Sequence, residues 1–327
     1  MEDFNGKIAV VTGGGTGMGR ELVCHLIKAG AHVAMCDLFE ENMLETAHLA
    51  QPGTGQRLTS HLCDVSNEAD VNRFRDEVVE RHETDHINLL FNNAGIGGGG
   101  TFVNIDREEW ERTFGVCWYG VYYGCLAFMP LLIASEEGHV VNTSSVNGFW
   151  ASLGPGISHT SYCAAKFAVK GFTESLMEDL RLNAPHVKAS VVMPGHIGTS
   201  ISLNTGKVLG RGSPGQMSAE KVEEMRARLE SRGVPISNMT DDHIREMAEQ
   251  QAIAFRDNAP TTAAQAANII LDGVRAGRWR ILVGDDAKVL DEVVRANPED
   301  AYTEEFMDRI RARGHMAMGG NLRQEDN

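Results

Sequence analysis

At 327 residues, with 42% hydrophobic and 23% charged side chains, the chain is long enough to build a sizeable core, and disorder is not expected. Length alone allows two domains, or one doubly wound α/β domain with additions. The net charge of -15, from 45 acids against 30 bases, argues against nucleic acid or an anionic membrane as a partner, because both carry a field of like sign.

The cysteines Cys24, Cys36, Cys63, Cys117, Cys125 and Cys163 lack CxxC spacing and lie mostly in apolar runs, which reads as a reducing, cytoplasmic setting. Met1 to Lys7 carries acids and no apolar core, so no signal peptide is expected. No Cys/His cluster has zinc spacing, and no metal site is expected.

In chain order, Lys7 to Thr12 is a short apolar strand that stops at Gly13-Gly14-Gly15-Thr16-Gly17-Met18-Gly19. A helical pattern follows from Arg20, with Leu22, Val23, Leu26 and Ile27 on one stripe and Gly30 as its stop. Strand, glycine turn and helix in this order make a dinucleotide-binding unit. The glycines admit a pyrophosphate to the backbone, and the helix N-terminus attracts its charge. The next strand, Ala31 to Cys36, ends at Asp37. A carboxylate there accepts both ribose hydroxyls and repels a 2′-phosphate, which favours NAD over NADP; a plain helix cap is the other reading. Leu58 to Leu62 reads as the third strand, with a helix opening at Ser66 and Asn67, and Ile87 to Phe91 as the fourth, running into Asn92-Asn93-Ala94-Gly95.

Val116 to Ser135 carries no charge and is long enough to be read as a membrane span. Pro130 and the aromatics Trp118, Tyr119, Tyr122 and Tyr123 favour a buried helix, or one half in a subunit interface. Val140 to Thr143 leads into Ser144-Ser145, and then comes Tyr162-Cys163-Ala164-Ala165-Lys166. On a helix, positions i and i+4 share a face, so Tyr162 and Lys166 reach one pocket, where the cation lowers the phenol pKa. Such a pair alone is also common on solvated helices.

The motifs Thr12-Gly13-x-x-x-Gly17-x-Gly19, Asn92-Asn93-Ala94-Gly95, Ser145, Tyr162-x-x-x-Lys166 and Pro194-Gly195-His196-Ile197-Gly198-Thr199 together resemble the short-chain dehydrogenase/reductase family, over about residues 5 to 285. The resemblance implies a Rossmann fold with Tyr162 exchanging a proton with the substrate oxygen, Ser145 hydrogen-bonded to that oxygen, and Lys166 holding the nicotinamide ribose. It places Gly13, Thr16, Gly17, Met18 and Gly19 at the pyrophosphate. Asp37 would take the ribose, Asp64 and Val65 the adenine, and Asn92, Ala94 and Gly95 would line the trough. Ile197 and Thr199 would hold the carboxamide, with Pro194 and Gly195 also at the cofactor. Ser145 is favoured over Ser144 as the catalytic serine.

Two departures stand out. Cys117-Trp118-Tyr119-Gly120 lies where the family usually has Asn-x-x-Gly, and a thiol is a poor substitute for an amide that holds a relay water. The interval from Val146 to Ser161 is longer than the family's. Residues 200–258 form a long insertion in the position of a substrate lid, with helical patterns beginning near Ser218 and at Thr240. Its methionines suggest an adaptable wall for a bulky apolar substrate; simple docking of these helices to the body is the alternative. Gly97 to Gly100 reads as a flexible rim, and His196 either touches substrate or faces solvent. A helix capped by Thr262 and Gln265 and a strand from Arg280 to Gly284 close the domain.

The expected organisation is one α/β domain over residues 1–285 including the lid, then a helical extension and polar tail over 286–327, in which no chemistry is identifiable. The expected function is NAD-dependent interconversion of a secondary alcohol and a ketone on a bulky hydrophobic substrate, by a homotetramer or dimer. A non-catalytic NAD-binding or regulatory protein on the same fold is the alternative that Cys117 keeps open.

Overall fold

The computed structural model describes residues 1–313 apart from 104, 154–157, 231–233, 235 and 237–238. The glycines of the long Ser145–Tyr162 interval and the polar tail lie largely outside the described residues. Seven parallel strands form the main sheet in the order β3-β2-β1-β4-β5-β6-β9. They are β1 (Ile8–Thr12), β2 (His32–Asp37), β3 (Leu58–Leu62), β4 (Leu89–Asn92), β5 (Gly138–Thr143), β6 (Val187–Pro194) and β9 (Arg280–Val283). The order reverses direction between β1 and β4, which opens a crevice at the carboxyl ends of the strands. A two-residue pair, β7 (Ile197–Gly198) with β8 (Thr261–Thr262), lies just beyond β6.

Strand alternation divides the core. Ala9 and Val11 of β1, with Val33 and Met35 of β2, face α1 (Gly17–Lys28), α2 (Glu40–Ala50) and α10 (Ala263–Arg275). Val10, Ala34 and Cys36 face the opposite layer, of α3 (Glu68–His82), α5 (Gly120–Ile133) and α6 (Thr160–Asn183). Both faces are covered, so the strands read as continuous apolar runs. Thr262 and Gln265 form the expected capping box on α10.

The uncharged stretch follows the charged α4 (Arg107–Phe114), starts within a π turn at Gly115–Tyr119 and continues as α5. Together these make one helix, Arg107–Ile133, long and apolar enough to cross a membrane, half of whose most apolar window is buried inside the protein. Its outer face leaves Tyr119, Tyr122, Leu126 and Ile133 exposed, and Phe167 of α6 is exposed as well.

Among its described residues the insertion holds three α-helices, one more than its pattern suggests: α7 (Ile201–Val208), α8 (Ala219–Glu230) and α9 (Asp241–Asp257). The extra one, α7, is short, interrupted by Gly206, and lacks an apolar stripe; it is settled by contacts with the body. The carboxyl-terminal extension is also packed. Helices α11 (Asp285–Ala296) and α12 (Glu304–Ala312) build a third apolar cluster with Val146 and Trp150, through Ala287, Leu290, Val293, Phe306 and Ile310.

One string, His82-Glu83-Thr84-Asp85-His86, has the letters of a zinc-binding helix, which the expectation of no metal site passed over. Helix α3 ends at His82 and Glu83 is left-handed, so the two histidines share no helical face. His86 pairs with Asp85, and His82 belongs to a buried relay. In that relay His61 donates to Glu77 through Nδ1 (2.6 Å), Thr59 donates to His61 Nε2 (2.8 Å), and His82 Nε2 donates to Thr59 (2.9 Å). This leaves His82 Nδ1 buried without a partner, a tautomer fixed by the network. His139 is similar: Ser190 donates to the Arg278 carbonyl, so His139 Nε2 donates to Ser190, and Nδ1 is orphaned.

Protonating either orphan nitrogen buries a charge with no acceptor. Burial, reinforced for His82 by His32 and His61, lowers His82 to about 4, and burial lowers His139 to about 3. Because the unfolded histidines take up protons first, this stability is complete above pH 6.5 and is lost as the pH falls toward these values. At pH 5 each neutral histidine costs about 2 kcal/mol of folding free energy relative to neutrality. Urea unfolding of His82→Gln is expected to lose correspondingly less stability between pH 7.5 and pH 5 than the parent. An equal loss in both would show that His82 takes no part.

Candidate active site

A cleft of about 380 Å³ occupies the crevice. Its floor begins at the β1–α1 turn, where Gly13, Thr16, Gly17 and Met18 line it. Gly13 and Gly17 have φ of +65° and +55°. A Cβ on Gly13 would stand 2.9 Å from the Ala94 backbone, and one on Gly17 would stand 3.0 Å from the Thr199 side chain. Side chains here would fill the floor, and the first turn of α1 carries no acid, so its free N–H groups suit a pyrophosphate.

Gly19 does not line the cleft. A Cβ on it would fall 1.9 Å from the Gly13 carbonyl oxygen, so its role is the close packing of helix on turn. Asn92 also departs from expectation. As the last residue of β4 it points into the protein, donating to Asn142 Oδ1 (2.9 Å) and lying 3.3 Å from Cys125 Sγ. Asn142 donates onward to Thr173 (3.0 Å), so Asn92 ties β4 to β5 and α6. Its neighbour Asn93 lines the cleft with Ala94 and Gly95. The Asn93 and Ala94 amides both donate to Thr12 Oγ1 (3.0 and 3.1 Å), which holds this loop over the end of β1.

At the far end, Asp37 accepts from the Gly15 amide (3.0 Å) and the Phe39 amide (3.2 Å), while burial pushes its carboxyl above the usual range. Arg20, the cation beside this loop, is committed to the Gly15 carbonyl, Thr46 and Glu45. Asp64 and Val65 line the adjoining wall, with Asp64 paired to Arg112 at 2.7 Å. Pro194, Gly195, Ile197 and Thr199 line the other side, after β6.

Ser145, Tyr162 and Lys166 come together on the remaining wall. Ser145 Oγ accepts from the Asn147 amide (3.1 Å), whereas Ser144 spends its hydroxyl on the Lys166 carbonyl (2.7 Å). Lys166 is 2% exposed; its Nζ donates to the Thr143 carbonyl (2.9 Å) and lies 5.4 Å from the Tyr162 ring centroid. Burial pushes the Tyr162 phenol far above its ordinary value, with Cys117 adding to this and a hydrogen bond with Ser145 opposing it. Burial also lowers Lys166. The expected pull of Lys166 on the phenol is therefore outweighed by desolvation in this state. Cys117 sits in the π turn with its thiol donating to the Ile96 carbonyl (3.3 Å), outside the cleft lining.

His159 was not singled out from sequence. Its ring stacks on Tyr162 with centroids 4.8 Å apart, and its Nε2 donates to the Gly97 carbonyl (3.1 Å). A histidine three positions before Tyr162, at the N-cap of α6, was the available signal. The glycine rim is pinned: Gly97 donates to Thr205 (2.9 Å) and Gly99 to Glu109 (3.0 Å). The apolar end is walled by Ile96, Val146, Leu153, Ile201, Val208 and Phe255. Among the described residues no methionine of the insertion lines the cleft, so α7 and Phe255 form the wall expected of methionines. His196 does not face solvent. It is 5% exposed, bonded through Nε2 to the Phe255 carbonyl (2.7 Å) and stacked near that ring.

A cleft at the switch point of a doubly wound sheet, with a glycine cradle at one end and a serine, tyrosine and lysine at the other, defines a nucleotide-dependent oxidoreductase of one family. Residues 7–208 match the family model described as short chain dehydrogenase, and the chain belongs to that family, whose members use a nicotinamide cofactor. SadH of Mycobacterium tuberculosis is 34% identical over 298 residues, 90% of this chain and 92% of that protein. Epidermal retinol dehydrogenase 2 of Mus musculus is 34% identical over 197 residues, 60% of this chain and 62% of that protein. Among solved structures, a short-chain dehydrogenase/reductase from Burkholderia phymatum in complex with NAD is 28% identical, with TM-score 0.70 over 92% of this chain and 95% of its own. A metagenomic short-chain oxidoreductase in complex with NADP is 31% identical, with TM-score 0.52 over 58% and 83%.

Proposed function

We propose that the protein is an NAD-dependent dehydrogenase that interconverts a secondary alcohol and a ketone on a bulky, largely apolar substrate. The observation that carries this reading is the convergence of Ser145, Tyr162 and Lys166 on one wall of a cleft that runs to the glycine turn and Asp37. When bound, a nicotinamide supplies the acceptor or donor of a hydride at the carbinol carbon. The chain's own residues do the rest. Tyr162 takes the hydroxyl proton as the phenolate when the alcohol is oxidised, a form that the charges of Lys166 and of a bound oxidised nicotinamide would favour against burial, and as the phenol it returns the proton in the reverse direction. Ser145 Oγ hydrogen-bonds the same oxygen, and Lys166, held by Thr143, presents its remaining donors to the ribose.

The apolar wall of Ile96, Val146, Leu153, Ile201, Val208 and Phe255 supports a hydrophobic substrate, as does the likeness to a retinol dehydrogenase. Asp37 supports NAD over NADP: a carboxylate at the end of β2 would repel a 2′-phosphate, and Arg20 is already bonded to Gly15, Thr46 and Glu45. The exposed Tyr119, Tyr122, Leu126, Ile133 and Phe167 support self-association through the α4–α5 and α6 faces. Light scattering on the purified protein is expected to give a dimer or tetramer; a strictly monomeric mass would sink that part.

Absorbance at 340 nm across a panel of bulky secondary alcohols tests the class, with turnover expected from NAD and little from NADP. Silence across the panel with NAD still bound by calorimetry would overturn the enzymatic reading. Asp37→Ser should narrow the ratio of NAD to NADP kcat/KM by roughly 10-fold or more, the loss of one repulsive charge being worth a kcal/mol or so. An unchanged ratio would remove Asp37 from specificity. Tyr162→Phe should lower kcat by roughly 10²–10⁴-fold with little change in NAD affinity. Retained turnover in that variant would discard its role as acid and base.

A further inference from the structure

The turn that carries Ser145 is fixed from one side by its own strand and from the other by chain some 150 residues downstream. Past β5 the backbone makes a short 3₁₀ turn, Val146–Gly148, whose first amides return to Ser145: Asn147 donates to its Oγ, and Gly148 to its carbonyl (2.9 Å). Asn147 then closes the loop by donating to the carbonyls of Trp150 (3.0 Å) and Ser152 (2.7 Å).

The carboxyl-terminal extension holds what remains. Trp150, 1% exposed, donates through Nε1 to the Ala301 carbonyl (2.6 Å) and packs against Phe306 at 5.7 Å. The Ala151 amide donates to the Tyr302 hydroxyl (3.1 Å). Val146 is buried among the side chains of α11 and α12, and the Arg280 guanidinium, paired with Asp291 of α11, lies over the Phe149 ring at 5.6 Å. The same extension reaches the second turn of the cleft. Asp286 accepts from the His196 amide (2.6 Å), and a Cβ on Gly195 would fall 2.2 Å from that carboxylate.

We propose that the carboxyl-terminal helices are the positioning element of the active site: the Trp150–Ala301 and Ala151–Tyr302 hydrogen bonds latch the turn that aims Ser145. Trp150 and Tyr302 are positioning residues that act through Ser145, an inference resting on the role given to that serine above. A hydroxyl that must meet a developing charge within a few tenths of an ångström loses much of its effect when its turn drifts. The latch is polar and specific rather than mere apolar cover, since two directed hydrogen bonds terminate on adjacent residues of one segment, Ala301 and Tyr302.

Tyr302→Phe and Trp150→Phe in the full chain test this. The Tyr302 side chain is 64% exposed, so its variant is expected to fold even if Trp150→Phe does not. Hydrogen exchange should accelerate at the amides of 147–151 in Tyr302→Phe while those of β5 and α6 stay as in the parent. Turnover should fall roughly 10- to 100-fold, with NAD affinity by calorimetry within about twofold of the parent. Placed in the Ser145→Ala background, Tyr302→Phe should bring no further loss of kcat. Unchanged exchange at 147–151 overturns the latch whether or not any substrate turns over. An equal loss of kcat with and without Ser145 shows that Tyr302 does not act through it. Loss of turnover in the parent itself, with exchange responding as described, would instead count against the dehydrogenase reading alone.

Discussion

A lysine ammonium buried to 2% exposure needs acceptors, and the one hydrogen bond it makes among the described residues is to the Thr143 carbonyl. An unpaired buried charge is strongly disfavoured, so this contact draws α6 onto the end of β5, and Ser144 reinforces it by donating to the Lys166 carbonyl. Gly148 then lies so close that a side chain would strike both Ser144 and Lys166. Once α6 is seated on the end of β5, Tyr162 has no freedom to be elsewhere, and the Ser145 turn is fixed on the side of its own strand. The donors of Lys166 left over point to a ligand rich in hydroxyls.

The electrostatics follow from the same burial. Desolvation raises Tyr162, lowers Lys166 and raises Asp37, each toward its neutral form. A site that waits with its charged forms disfavoured gains most from a ligand that brings compensating partners. Cys117 turns its thiol to the Ile96 carbonyl, so the departure from the family's asparagine is absorbed by the π turn with no buried donor left idle.

Local spacing made much of this legible. Tyr162 and Lys166 are four apart on a helix, and the glycines of the first turn lie between a strand and a helix, so their neighbourhood follows from short-range geometry. Errors arose where one residue of register decides. Asn92 ends the strand and points inward, so its neighbour Asn93 lines the cleft, and Gly19 is required by the approach of the Gly13 carbonyl. Helix α7 carries too weak a pattern to be seen without the body it packs on. The carboxyl-terminal helices were visible as helices, yet their work was not, because Trp150 and Ala301 are 151 residues apart and no local pattern encodes such a pairing.

That separation has a consequence in time. The strands β1 to β6, the glycine turn and the Tyr162–Lys166 face all lie in chain that precedes residue 195, whereas the Ser145 turn awaits partners beyond residue 285. Closing a loop of that size costs entropy, and the closure returns nothing until its last residues arrive. During synthesis the residues that latch the Ser145 turn therefore leave the ribosome after every other part of the cleft has been made.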